Sequence, residues 1–213
     1  LTPTTAFTCW NPRMSTDSPV LPLPPNAPRV KSNRLVRWIG RTILRLGGWH
    51  MVGRFPDIPK LVMIGAPHSS NWDGLWAFSA KMALGLDVRI LAKESLFKVP
   101  VLGRVIRRLG VLPVNRKAAR GVVEQAVELI RHSEKFWYGI APEGTRQRVE
   151  HWKTGFWKIA KGAGVPVLPV YFHYPDKIIG VGEVFHLGED MDADMARVRA
   201  WYRPWMGKNR GTT

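Results

Sequence analysis

The alternation of short apolar runs with longer stretches of helical apolar spacing restricts what this chain can fold into more than any other feature. The runs HMVGRF, KLVMIG, DVRILA, GVLPV, FWYGIA, VPVLPVYF and IIGVGEVF read as strands. Helical patterns lie between and after them, over Trp72 to Leu84, Val99 to Leu109, Ala118 to Arg131, Thr154 to Lys161 and Asp192 to Trp201. Strands interleaved with helices predict an α/β fold, a single domain with a mostly parallel central sheet flanked by helices. Such sheets gather ligands in the loops at the carboxyl ends of their strands. The loops after the apolar runs are therefore where chemistry is expected.

A chain of 213 residues suits one such domain with an appendage. Residues 1–32 are rich in Pro, Thr and Ser, as in SPVLPLPPNAPRV, and read as a disordered or extended N-terminal arm. Met14, inside that arm, is expected to be the native start. Residues 33–48, NRLVRWIGRTILRLGG, read as a basic amphipathic helix with Asn33 as cap and the glycine pair as stop. Arg34, Arg37, Arg41 and Arg45 follow one stripe, and Leu35, Trp38, Ile39, Ile43 and Leu46 fill much of the rest. Two readings fit: a helix lying on an anionic lipid surface with tryptophan at headgroup level, or a packing helix with a solvated arginine face. Residues 49–213 are expected to form one catalytic domain.

Thirty-two Lys and Arg against sixteen Asp and Glu leave a formal net charge of +16. That imbalance calls for an acidic partner: nucleic acid, an anionic membrane surface or an acidic carrier protein. The tryptophans and arginines could serve nucleic acid, but no nucleic-acid-binding module is present and the aromatics of FWYGIA and GFWKIA sit in apolar patterns, so no specific nucleic acid is expected. Cys9 is the only cysteine, which excludes an intrachain disulfide and a cysteine metal site and fits a reducing cytoplasm. No apolar run reaches the roughly 18 residues of a membrane span, so the protein is expected to be peripheral. The opening LTPTTAFTCW lacks the basic and apolar regions of a signal peptide.

The stretch GAPHSSNWDGLW, Gly65 to Trp76, places His68 and Asp73 five positions apart. On one helix that spacing turns them roughly 140° apart, so they could not meet. Pro67 ends the preceding strand, however, and Ser69, Ser70 and Asn71 are all helix-capping types. His68 then belongs to a loop and Asp73 to a first helical turn, and the imidazole can fold back onto the carboxylate. The functional reading is a dyad in which Asp73 fixes the tautomer of His68, which acts as general base. The plain alternative is a helix-end acid beside an unrelated surface histidine. In PEGTR, Pro142 and Gly144 allow a tight turn that frees backbone N–H groups and the Thr145 hydroxyl to grip an anion. Arg146 adds a planar fork suited to phosphate, and Glu143 is expected to orient Arg146, Arg116 or a substrate hydroxyl. Lys93 and Arg116 each come after a strand-like run. A metal hydrolase built on His68, Asp73 and His151 has no standard ligand spacing, so no metal is expected.

The combination of HSSNWD, PEGTR and GVPVLPV, in this order and at these separations, resembles the lysophospholipid acyltransferase family, also called the glycerol-phosphate acyltransferase family. The resemblance covers about Ile58 to Phe185, and it makes residues 49–213 an acyltransferase domain. It implies that His68 deprotonates an acceptor hydroxyl, that Asp73 holds His68, and that Glu143, Gly144, Thr145 and Arg146 bind the acceptor with help from Lys93 and Arg116 at its phosphate. The donor would be acyl-CoA or an acidic acyl-carrier protein, with no further cofactor. The expected acceptor is a lysophospholipid, 1-acylglycerol 3-phosphate first, with lyso-ornithine lipid, glycerol 3-phosphate or a glycolipid as alternatives, and the expected place is the cytoplasmic side of a membrane. With Cys9 in the arm and no serine in a Gly-x-Ser-x-Gly elbow, direct attack is preferred to an acyl-enzyme. Backbone amides around the helix start after His68 are the expected oxyanion donors.

Overall fold

The computed structural model describes residues 18–31, 34–93, 97, 98, 103, 104, 107, 110–114, 121–209 and 211. Its strands are β1 (His50–Gly53), β2 (Lys60–Ala66), β3 (Val88–Lys93), β4 (Val111–Val114), β5 (Phe136–Ile140), β6 (Val167–His173) and β7 (Ile178–Val181). Its helices are α1 (Arg34–Gly47), α2 (Asn71–Leu84), α3 (Val122–His132), α4 (Gly155–Ala163) and α5 (Met191–Tyr202). Each apolar run of the sequence contributes one strand. The helix expected over Val99 to Leu109 lies largely outside the described residues, as do Asn33, Met14 and Arg116.

The strands form one sheet in the order β1-β7-β6-β2-β5-β3-β4. β6, β2, β5, β3 and β4 run parallel. β7 is antiparallel to β6 and parallel to β1, so β1 and β7 run against the other five. Only residues 174–177 join β6 to β7, too few for the crossover that a parallel pair requires, so the chain turns straight back. Alternation along β2 sends Leu61 and Met63 into one core and Val62, Ile64 and Ala66 into the other. The first core is closed by Leu44 of α1 and by Ala80, Ala83 and Leu84 of α2. The second is closed by Ala126 and Ile130 of α3, by Phe156, Ile159 and Ala160 of α4, and by Val198 and Tyr202 of α5.

Residues 18–31 pack on the domain, with a turn in which Ala27 N–H donates to Pro24 C=O at 3.2 Å. Ala27 is 1% exposed within the first core, and the arm bonds along its length: Met51 N–H donates to Pro19 C=O at 3.0 Å and Asp87 N–H to Pro28 C=O at 2.9 Å. Apolar Pro and Ala side chains and paired carbonyls hold this stretch where composition alone also allowed disorder.

Helix α1 buries one side against the domain and exposes the other. Gly40 and Leu44 are its buried residues. A Cβ at Gly40 would lie 2.5 Å from Ala83 N and 2.6 Å from Ser79 O, so the α1 and α2 backbones cross in near contact. The opposite side leaves Leu35 and Trp38 each 60% exposed and Leu46 85% exposed, with Arg34, Arg41 and Arg45 exposed beside them.

Candidate active site

Three neighbouring strands, β6, β2 and β5, end on the same edge of the sheet. In the ladder Ile64 pairs with Ile140, and Ala66 pairs with Tyr171. The loops beyond these strand ends therefore start side by side: His68 after β2, the PEGTR turn after β5, and Tyr174 after β6.

Ser70 caps α2, its hydroxyl accepting from Trp72 N–H at 3.2 Å, and Asp73 closes the reciprocal box from the third helical position. Asp73 does more than cap. Its Oδ2 accepts from Ser69 N–H and Ser70 N–H, each at 2.8 Å, and lies 3.1 Å from His68 Nδ1. Its Oδ1 accepts from the Tyr174 hydroxyl at 2.5 Å. The carboxylate is 1% exposed and the imidazole 33%. Burial by itself pushes the Asp73 carboxyl up, but the bonds from His68, Tyr174, Ser70 and Ser69 together outweigh burial and hold it below its ordinary value. Burial and the neighbouring Asp73 raise the Tyr174 hydroxyl far above its ordinary range, so it stays a donor. An ionised carboxylate only accepts, so a hydrogen bond at this contact is one donated by His68 Nδ1.

Glu143 is 1% exposed, and its Oε2 accepts the backbone N–H of His68 at 2.8 Å, so this carboxylate holds the histidine loop. Gly144 holds a left-handed φ of 66°, which the PEGTR turn requires, and its N–H closes that turn on Ala141 C=O at 3.1 Å. The Thr145 hydroxyl accepts from Gln147 N–H at 3.3 Å. Arg146 is exposed and lines a cleft of about 330 Å³ with Ser69, Ser70 and Asn71. Lys93 is the last residue of β3, one strand beyond β5.

The backbone amides of His68, Ser69, Ser70 and Trp72 at the helix start are engaged in hydrogen bonds within the protein. His68 N–H goes to Glu143, those of Ser69 and Ser70 to Asp73, and that of Trp72 to the Ser70 hydroxyl. The network that orients the histidine uses the same donors. Two further elements of the site escaped sequence reasoning. Tyr174 lies just beyond the carboxyl end of the VPVLPVYF strand, and the rule that locates His68 at a strand end could have found it there. The other is Asn209, whose Nδ2 donates to Ser69 C=O at 2.8 Å and whose backbone N–H donates to the Ser69 hydroxyl at 3.3 Å. Nothing local in the sequence marks it. Among the described residues no group of three or more His, Cys, Asp or Glu side chains is placed to hold a metal ion.

This chain is similar to known proteins in sequence and in fold. A chloroplastic 1-acyl-sn-glycerol-3-phosphate acyltransferase of Brassica napus is 29% identical over 127 residues, 57% of this chain and 35% of its own length. A 1-acyl-sn-glycerol-3-phosphate acyltransferase of Borreliella burgdorferi is 32% identical over 105 residues, 46% of this chain and 41% of its own. The matches thus span well under half of these relatives. In fold, the chain is similar to the crystal structure of the 1-acyl-sn-glycerophosphate acyltransferase PlsC from Thermotoga maritima, with a TM-score of 0.53 and 21% identity over 78% of this chain and 75% of that one. The sequence model of the Acyltransferase family matches residues 53–173, more than half of the chain and every strand from the end of β1 to β6, and this protein belongs to that family.

Proposed function

We propose that this protein moves a fatty acyl group from an acyl thioester, acyl-CoA or acyl-carrier protein, to the hydroxyl of a lysophospholipid, 1-acylglycerol 3-phosphate before other acceptors. The observation that carries the reading is the short contact between His68 Nδ1 and a buried, ionised Asp73. Nε2 of His68 takes the acceptor hydroxyl proton as the oxygen attacks the thioester carbonyl carbon. Asp73 stabilises the imidazolium that forms. Collapse of the tetrahedral intermediate breaks the C–S bond, and the departing sulfur receives the proton from Nε2. The base regains its starting state, and no protein nucleophile is needed. Arg146, facing the same cleft as the start of α2, supplies a fork for the acceptor phosphate, with Gly144 and Thr145 shaping its turn.

The exposed Leu35, Trp38 and Leu46 with their arginine flank support peripheral binding of α1 to an anionic membrane surface, in keeping with the cytoplasmic leaflet. No helix among the described residues is long and apolar enough to cross a membrane. The test offers the purified protein lysophosphatidic acid and neutral lyso-lipids with each donor and resolves products by mass. Phosphatidic acid is the expected product. Acylation confined to neutral acceptors would defeat the assignment of the acceptor.

A further inference from the structure

The family match ends at residue 173, yet the cleft beside the dyad is walled in part by Lys208 and Asn209, thirty-odd residues further on. This segment is tied down on two sides. Met206 C=O accepts from Tyr174 N–H at 2.9 Å, and Met206 N–H donates to His173 Nδ1 at 3.1 Å. An isolated bridge joins Met206 to Gly211, and Asn209 bonds Ser69 through both side chain and backbone. Lys208 stands between these ties with its ammonium 4.7 Å from the centre of the Trp72 ring. The cation is thus held over the first turn of α2 instead of ranging through solvent.

Arg146 reaches the same cleft from the turn after β5. Two cations line one small opening, and none of the side chains lining it is acidic. Among the described residues neither Arg146 nor Lys208 has a carboxylate partner. Like charges set together without a counter-charge repel, and an arriving anion relieves the repulsion. A volume of about 330 Å³ holds a phosphate headgroup and lies at the small end of ligand clefts, short of what an acyl chain needs as well.

We infer that Lys208 is a substrate-binding residue that closes on the phosphate monoester of the acceptor opposite Arg146, while Asn209 is the positioning residue that holds it there. The inference rests on the proposed reading of the cleft as the acceptor site and adds to it a cation from the C-terminal segment. Asn209 also ties that segment to Ser69, one residue from the base. The acceptor headgroup and His68 are then registered against the same short stretch of backbone.

The experiment uses the full chain and two readouts. Binding of glycerol 3-phosphate is measured by calorimetry, and acyl-transfer kinetics are measured with lysophosphatidic acid and with a neutral lyso-lipid. Lys208→Gln is expected to weaken glycerol 3-phosphate binding and to raise the KM for lysophosphatidic acid by about tenfold, the size of one charge-assisted hydrogen bond at a half-open site. The KM for donor and for the neutral acceptor should stay in place, and Lys208→Arg should restore most of the loss. Lys135→Gln, at the opposite edge of the sheet where β5 begins, is the control for loss of one charge. Unchanged glycerol 3-phosphate binding in Lys208→Gln overturns the inference even if the wild type turns over lysophosphatidic acid well. A rise in donor KM instead overturns it by giving Lys208 to the donor's phosphates. A wild type that acylates only neutral acceptors, while its binding of glycerol 3-phosphate still depends on Lys208, refutes the proposed acceptor and leaves the anion site standing.

Discussion

Replacing Asp73 by asparagine separates the charge of the dyad from its geometry. Three donors converge on Oδ2: the amides of Ser69 and Ser70 and Nδ1 of His68. The amide oxygen of asparagine fits there, and its NH₂ then faces the Tyr174 hydroxyl, which can rotate from donor to acceptor. The opposite flip would set an NH₂ against two backbone N–H groups. Asp73→Asn should therefore keep the fold and the Nδ1–H tautomer and lose only the negative charge. Unit charges 3.1 Å apart attract by about 5 kcal/mol at an effective dielectric of about 20. The transition state carries part of that charge and the ring is 33% exposed, which leaves about 2 to 3 kcal/mol, or roughly 10²-fold in kcat. Thiol release under saturating substrates measures the loss, and ¹⁵N shifts of the imidazole report the tautomer. A fall of about 10⁴-fold with the proton on Nε2 would refute this reasoning, since that is the penalty for a wrong tautomer. An unchanged kcat would refute it from the other side and make Asp73 a helix cap alone.

Tyr174→Phe keeps the ring that packs edge-on against Trp49 at 4.8 Å but removes the bond that helps hold the Asp73 carboxyl low, so the acid limb of the pH–rate profile should move to higher pH with kcat down about tenfold. A profile that stays in place would mark Tyr174 as structural. Charge reversal of Arg34 and Arg41, both exposed on α1, should release the protein from anionic vesicles at modest salt, each basic residue near such a surface being worth about 1 kcal/mol; undiminished sedimentation with vesicles would assign binding to another face. Burial lowers Lys81 from 10.5 to about 8, partly opposed by Asp87. Between those values the unfolded chain binds the extra proton, so stability rises with pH from about 8 towards 10.5, by about 3 kcal/mol at most. In Lys81→Met that rise, read from denaturant midpoints, should vanish.

What could be read from the sequence and what could not divide along a physical line. The strands and the pairing of His68 with Asp73 rest on local signals: an apolar run, a proline that ends it, a serine that caps the next helix. For Glu143 the sequence points to an orienting role, but its bond to the His68 amide is not legible there, because it depends on β5 lying beside β2 with Ile64 opposite Ile140. Strand order is not written locally. The same applies to Tyr174, brought to Asp73 by the insertion of β6 on the other side of β2, and to Asn209, 140 positions from the serine it holds. The amides at the start of α2 illustrate the converse. They look available in sequence, and only the fold reveals that one carboxylate uses two of them.

The near contact at Gly40 links where the protein sits to what it can reach. α1 and α2 run antiparallel, with Gly40 against Ala83 and Gly47 against Trp76, so the far end of α1 lies beside the turn of α2 that bears Asp73. Any side chain at position 40 would meet backbone, which leaves the two helices no cushion in which to slide. If α1 rests on lipid as proposed, it acts as a spacer of set thickness: the height of the imidazole above the bilayer is fixed by the crossing of two helices. A lysophospholipid then needs to rise only until its hydroxyl meets that height, with its tail still among its neighbours, and the enzyme would select its acceptors partly by how deep in the headgroup layer the reactive oxygen lies.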